Sequence, residues 1–179
     1  MFENDSQQLE NDVLILYVLC RFEMSIPEKA LTEIILSPGL ISYFSFQSSL
    51  ARLAKDGLVA VNTDTDGVTM YAVSEEGRRV LGTLPDAISP AVRGTYDEYL
   101  AKEKNKITME TNINAYPFVD SNKNQCVRCY IRENGNKIVD IRIPVPDKET
   151  ALAMCANWKT DAYSILMQIM TDLSGEMPS

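Results

Sequence analysis

Residues 45–73 constrain the fold of this chain more than any other stretch, because a helix, a glycine stop and a hairpin follow one another without interruption. Ser45 can cap a helix by accepting from an orphan backbone N–H, and Phe46, Leu50 and Leu53 recur at the three- and four-residue spacing of one apolar face. Asp56-Gly57 ends that helix, since glycine adopts the left-handed conformation a helix terminus needs. Leu58-Val59-Ala60-Val61, a polar tip Thr63-Asp64-Thr65-Asp66-Gly67 and the run from Val68 to Val73 then read as two strands joined by a turn. Ser74 starts the next helix, with Glu75 and Glu76 complementing the positive end of its dipole. In this order these parts make the second half of a winged helix-turn-helix.

The preceding residues supply the first half. Residues 1 to 8 are polar and predict a frayed end. Asp12 to Phe22 predicts a helix that is apolar nearly all round through Val13-Leu14-Ile15-Leu16-Tyr17-Val18-Leu19-Cys20, so it needs cover on more than one side. Met24-Ser25-Ile26 can add a short strand beside the wing, and Pro27 suits a first helical turn. Glu28 to Leu36 follows as a helix with Leu31, Ile34 and Ile35 inward, and Ser37-Pro38-Gly39 breaks it. Leu40 to Phe44 reads as the linker that delivers the chain to Ser45.

With Phe46, Leu50 and Leu53 inward, the opposite face of the Ser45 helix carries Ser48, Ala51, Arg52 and Lys55, with Gln47 on its flank. That is the face a recognition helix lays in the major groove of double-stranded DNA. Gln reads adenine, Arg reads guanine or a phosphate, and Ser takes either contact, so Gln47, Ser48, Arg52 and Lys55 are the candidate DNA-binding residues. A solvated helix surface carries the same residue types, and the hairpin behind the helix is what favours the groove.

Charge opposes that reading. The chain has 17 Lys and Arg against 25 Asp and Glu, a net of −8, with no histidine. Residues 9–84 hold 6 basic and 10 acidic residues, a net of −4, and the hairpin tip carries Asp64 and Asp66 without a cation. Phosphate neutralisation supplies most nonspecific affinity, so DNA binding would be weak per domain and would need a dimer reading two half-sites. Arg52 and Lys55, with Lys29 and Arg21, are the available cations.

Beyond Glu75–Leu84 the chain changes character. Ser89-Pro90 opens a connecting helix through about Lys104, with Val92, Tyr96, Tyr99 and Leu100 on one face, which predicts a rigid relation between the halves. From Lys106 the apolar period reads as two, predicting a first strand through Ile107, Met109, Thr111 and Ile113, with Tyr116-Pro117-Phe118 leading into a turn at 120–124. Gln125–Arg132 and Ile138–Val145 are the second and third strands. Asn134-Gly135 marks the hairpin between them, and matching the apolar faces selects a three-residue loop that pairs Ile131 with Val139 and sets Tyr130 opposite Asp140. Asp147 caps a long final helix whose apolar residues run from Ala151 through Cys155, Trp158, Ala162, Ile165, Leu166 and Ile169 to Leu173. Three short strands cannot cover that length, so the excess is expected on the N-terminal domain or on a second subunit.

The predicted architecture is α+β: an N-terminal winged helix-turn-helix over 9–84, a connecting helix over 85–104, and a three-stranded antiparallel meander with a long C-terminal helix over 105–179, for dimerisation or effector sensing. Cys126-Val127-Arg128-Cys129 is a C-x-x-C, but on a strand residues three apart face opposite ways, so a zinc or redox pair is not expected. Arg128, Arg132, Lys137 and Arg142 cluster on the polar side of the strands, within the one positive segment, 105–147, with 6 basic and 5 acidic residues. That cluster is expected to be solvated or salt-bridged locally, as Asp140 would allow, with an anionic ligand or a partner as the alternative. Phosphate loops, dinucleotide fingerprints and catalytic triads are absent from the sequence, so neither an enzyme, a cofactor nor a metal is expected. The apolar runs are too short for a membrane span and the N-terminus lacks the basic flank of a signal peptide, which predicts a cytoplasmic protein with reduced thiols. Two functions remain: a homodimeric transcriptional regulator that binds DNA, or a protein-interaction module on a winged-helix scaffold.

Leu14-Ile15-Leu16-Tyr17, Tyr43-Phe44-Ser45-Phe46-Gln47, Leu53 with Gly57-Leu58, and Tyr71 followed by Ser74-Glu75-Glu76-Gly77 carry a resemblance over most of the chain. The sequence resembles a domain-of-unknown-function family of winged-helix proteins from clostridia and related Gram-positive bacteria. The Tyr-x-Val-Ser-x-x-Gly close of the wing is shared by many winged-helix regulators, including those resembling the PadR group. The resemblance implies a bacterial DNA-binding regulator and transfers no operator, effector or catalytic residue.

Overall fold

The computed structural model of the chain describes residues 5–64, 66–133 and 136–175. The class is α+β, with helices and two three-stranded antiparallel sheets, in two compact units whose boundary lies between Ile107 and Thr108.

The first unit runs through α1 (Asp5–Cys20), β1 (Ile26–Pro27), α2 (Glu28–Leu36), α3 (Tyr43–Lys55), β2 (Val59–Thr63), β3 (Thr69–Val73), α4 (Glu75–Thr83) and most of α5 (Pro90–Asn112). As its apolar composition requires, α1 is buried on several sides, with Val13, Leu14, Ile15, Leu16, Val18 and Leu19 all in the core and α3, α4 and β3 packed around it. It begins at Asp5, because the polar residues expected to fray support one another along the helix: Gln7 Nε2 donates to Asn11 Oδ1 at 3.3 Å. The part of that expectation that concerns residues 1–4 falls outside the described residues. β1 pairs antiparallel with β3, Ile26 opposite Tyr71, and gives the sheet order β1-β3-β2. α4 closes against the hairpin where Ser74 Oγ accepts from the Gly77 N–H at 3.0 Å. A Cβ at Gly77 would run into the Leu58 carbonyl oxygen, so only glycine lets this helix turn lie on the start of β2.

In the second unit the expected first strand is a correction. Residues 107–111 belong to α5, and the strand β4 is Ile113–Val119. The alternation of Ile107, Met109 and Thr111 was ambiguous. Ile107 and Thr111 are four residues apart and lie inward on one helical face, whereas Met109 is exposed. Tyr116-Pro117-Phe118 is therefore inside a strand, and Pro117 is tolerated because β4 is an edge of the sheet ordered β4-β5-β6.

β5 (Gln125–Glu133) pairs with β4 and with β6 (Asn136–Pro144). The expected register holds, with Ile131 opposite Val139, Cys129 opposite Ile141 and Tyr130 opposite Asp140. The three-residue loop does not: Arg132 pairs with Lys137 and Glu133 with Asn136 across a bulge. Ile138 is the extra residue, so the strand rather than the turn absorbs the mismatch. Asn134 and Gly135 themselves lie outside the described residues.

α6 (Lys148–Ser174) starts at Asp147, whose carboxylate accepts from the Thr150 N–H at 2.7 Å. Ala151, Cys155, Trp158 and Ala162 pack on Ile113, Ala115, Val127, Cys129 and Ile131, and Trp158 Nε1 donates to the Tyr130 carbonyl at 3.4 Å. Asp161 leaves helical geometry and kinks the helix. Past the kink Ile165 and Leu166 are only partly buried, while Tyr163, Met167, Met170 and Leu173 are exposed.

Candidate nucleic-acid interface

α3 begins three residues earlier than its sequence suggests. Ser42, not Ser45, is the cap: its Oγ accepts from the Ser45 N–H at 3.1 Å. Ser45 sits buried in the first turn, with its own hydroxyl 2.8 Å from that of Ser42. The extension brings Tyr43 and Phe44 onto the helix. Its inward face is Ser45, Phe46, Ser49, Leu50 and Leu53. Its open face is one stripe, Phe44, Ser48, Ala51 and Lys55, spaced by three and four residues.

Of the four candidate residues, Ser48 and Lys55 stand on this open stripe. Gln47 is at its flank, half-buried, with Nε2 enclosed and without a hydrogen-bond partner. Arg52 points elsewhere. Its Nε and Nη2 donate to the two carboxylate oxygens of Asp12 on α1 at 3.0 and 2.5 Å, and Nη2 also reaches Ser49 Oγ at 3.3 Å. The Gln8 amide oxygen, in the orientation that satisfies both ends of that amide, faces the same guanidinium. Arg52 therefore clamps α3 to α1. Arg21, another candidate cation, is paired with Asp97 at 2.6 Å.

The residues that sequence reasoning missed are Phe44 and Tyr43, which it assigned to a linker. Phe44 is 84 % exposed and Tyr43 59 %, with Leu40 half-exposed beside them. The available signal was Ser42, three residues before a second serine and four before Phe46. Next to Tyr43 opens a cleft of about 770 Å³ whose walls include Pro27, Thr32 and Leu36 on one side and Val68 and Thr69 on the other.

The acid at the hairpin tip has a structural cause. One oxygen of the Asp64 carboxylate accepts from the N–H groups of Asp66 and Val68 at 2.8 and 2.9 Å, while Gly67 takes a φ of +79°. Thr65, also part of the expected tip, lies outside the described residues. The turn uses a carboxylate where a DNA-contacting wing would present a cation.

In the second unit the cysteines divide as strand alternation requires. Cys129 is in the core with Cys155, where burial pushes its thiol up to about 11. Cys126 is on the other side of β5, opposite Phe118 and Pro144. All four cysteines are free thiols. On the side of Cys126, Arg128 donates to both oxygens of Asp140 at 2.8 and 2.5 Å, and Lys137 Nζ lies 3.8 Å from the same carboxylate. The Arg128 hydrogen bond holds the Asp140 carboxyl below its ordinary value, with the Arg128, Lys137 and Arg142 charges adding to the effect.

Comparison with known families places this geometry. Residues 11–173 match a family described as a domain of unknown function, DUF4364. The chain belongs to the DUF4364 family. Its match spans both units, so the two are parts of one family pattern rather than a joined pair of separate families. No curated protein matches the chain. Among the described residues, no helix is long and apolar enough to cross a membrane.

Proposed function

We propose that the first unit is a winged helix-turn-helix and that the chain is a homodimeric DNA-binding transcriptional regulator, with α2 and α3 as the helix-turn-helix and β2–β3 as the wing. The observation that carries this reading is the open stripe of α3. A helix with Tyr43 and Phe44 exposed in its first turn and one side open along its length, directly followed by a hairpin, has the form that enters a major groove.

The stripe also defines what such a protein would read. Phe44 and Ala51 suit apolar contact with thymine methyl groups, Ser48 suits either a base edge or a phosphate, and Lys55 suits a phosphate. Gln47 gains a partner if it swings from its enclosed position to an adenine edge. Arg52 contributes by holding α3 in place, since a guanidinium bonded to Asp12 has little left for a base.

The test compares wild type with Lys55→Glu and Phe44→Ala for binding to fragments of the source genome. Both residues are exposed, so both variants keep the fold. The reading expects wild type to retain a few fragments, Lys55→Glu to weaken all of them by a similar factor, and Phe44→Ala to change which are retained. Binding indifferent to both substitutions contradicts it. A second reading, an interaction module that leaves DNA alone, is favoured by three exposed apolar side chains close in sequence, Leu40, Tyr43 and Phe44. It gains if no fragment is retained at low salt.

A further inference from the structure

The cleft beside Tyr43 has a volume of about 770 Å³, within the roughly 300–1,000 Å³ of small-molecule sites. It lies wholly in the first unit, where residues of α2, the first residue of α3 and the tip side of the hairpin come together. Its walls are largely apolar. Pro27 and Leu36 are half-buried, while Tyr43 and Val68 are exposed. The hydroxyls on the α2 side are already committed as donors: Thr32 Oγ1 donates to the Glu28 carbonyl at 2.8 Å and Ser37 Oγ to the Glu33 carbonyl at 2.7 Å. On that side a ligand therefore meets hydrocarbon between charged groups. Those charges are unbalanced, because Glu28 and Glu33 line the cleft against Lys29 as the one cation among its lining residues. Among the described residues, neither carboxylate has a hydrogen-bond or ion-pair partner. The Glu28 charge also reaches the hairpin: burial first, and then that charge, push the Tyr71 hydroxyl above its ordinary pKa.

We propose that this cleft binds an apolar organic cation, a compound with an aromatic or branched hydrocarbon body and a single positive charge. The body covers the apolar walls formed by Pro27, Leu36 and Val68, removing their surface from water. The charge is held by the Glu28 and Glu33 carboxylates, and the Tyr43 ring adds an aromatic face of the kind that attracts cations. An anion of the same shape gains the apolar contact but meets repulsion from the carboxylates, so charge rather than hydrophobicity alone selects the ligand. The proposal goes beyond DNA binding and stands apart from it: the cleft takes its ligand whether or not α3 enters a groove.

The experiment is calorimetric titration of the full chain, in sodium buffer at constant ionic strength, with tetraphenylphosphonium and, separately, with tetraphenylborate, an anion of nearly the same shape. Saturable binding of the phosphonium with a dissociation constant below about 1 mM is expected, with the borate bound at least roughly tenfold more weakly. Glu28→Gln with Glu33→Gln removes both carboxylates and weakens phosphonium binding roughly tenfold. Tyr43→Ala, an exposed change, weakens it about threefold through loss of the aromatic face. Glu75→Gln makes the same kind of charge change at the other end of the hairpin, where α4 begins, and leaves binding as in wild type. Absence of saturable phosphonium binding overturns the proposal. So does borate that binds equally well, a double glutamate variant that binds like wild type, or an equal loss in Glu75→Gln.

Discussion

At the scale of single residues, three side chains hold the first unit in ways that can be measured. Gly77→Ala forces a methyl group against the Leu58 carbonyl, where backbone rather than a flexible side chain must yield. A loss of about 2 kcal/mol or more in denaturant unfolding is expected. Tyr96 is fully buried and its hydroxyl donates to the Ile35 carbonyl at 2.6 Å, one of the last carbonyls of α2, which its helix cannot satisfy. Burial raises its pKa from 10.0 to about 12. Because the folded value is the higher one, the associated stability is complete below pH 10.0 and is lost as pH climbs towards about 12. Ultraviolet titration of wild type against Tyr96→Phe checks this: the variant lacks the latest tyrosine transition and is about 1–2 kcal/mol less stable at neutral pH. Arg52→Ala leaves the Asp12 carboxylate, which is largely buried, without its fork, at a cost of about 1–3 kcal/mol in chemical denaturation. For the same reason Arg52→Glu sets two carboxylates together and reports on folding rather than on DNA contact.

At the scale of elements, the Asp140 clamp ties β5 to β6 and makes the second sheet sensitive to acid. The Asp140 carboxyl is held below its ordinary 3.8, so its contribution is present above that value and fades as pH falls through the lower folded one. Asp140→Asn is expected to flatten the acid limb of a thermal-melt series below about pH 4. The elements also show what the sequence could and could not convey. Helix ends marked by special chemistry were legible: Gly57 at φ +74° after α3, Ser74 before α4 and Asp147 before α6. So was the register of β5 and β6, because only one alignment keeps Val127, Cys129 and Ile131 on the α6 face. The start of β4 was not legible, since Ile107 and Thr111 satisfy a period of two and a helical repeat equally well until packing decides. Nor was the start of α3. Ser42 and Ser45 are equally good caps in isolation, and choosing the later one hid Phe44, a largely exposed aromatic ring of the candidate interface. The pairing of Arg52 with Asp12 joins residues forty positions apart and leaves no local pattern to read.

At the scale of the whole molecule, α6 is where the proposed dimer would form. Beyond its kink, Tyr163, Met167, Met170 and Leu173 expose apolar surface along one side of a helix whose earlier half is packed on its own sheet. In the proposed dimer, the same surface of a second copy would cover it, and a paired molecule would offer two α3 helices to two half-sites. Met167→Glu with Met170→Glu is expected to shift sedimentation from twice the chain mass to the monomer and to lower the melting temperature only by what the lost self-association contributed. The most direct test of the account is the affinity of the purified protein for fragments of its source genome at two salt concentrations. With Arg52 engaged by Asp12 and carboxylates at the hairpin tip, the proposed regulator would contact few phosphates. Selective retention of a few fragments, with a log–log salt slope no steeper than about −4 for a dimer, is the predicted result. Failure to retain any fragment at low salt, or a steep and unselective slope, would contradict it.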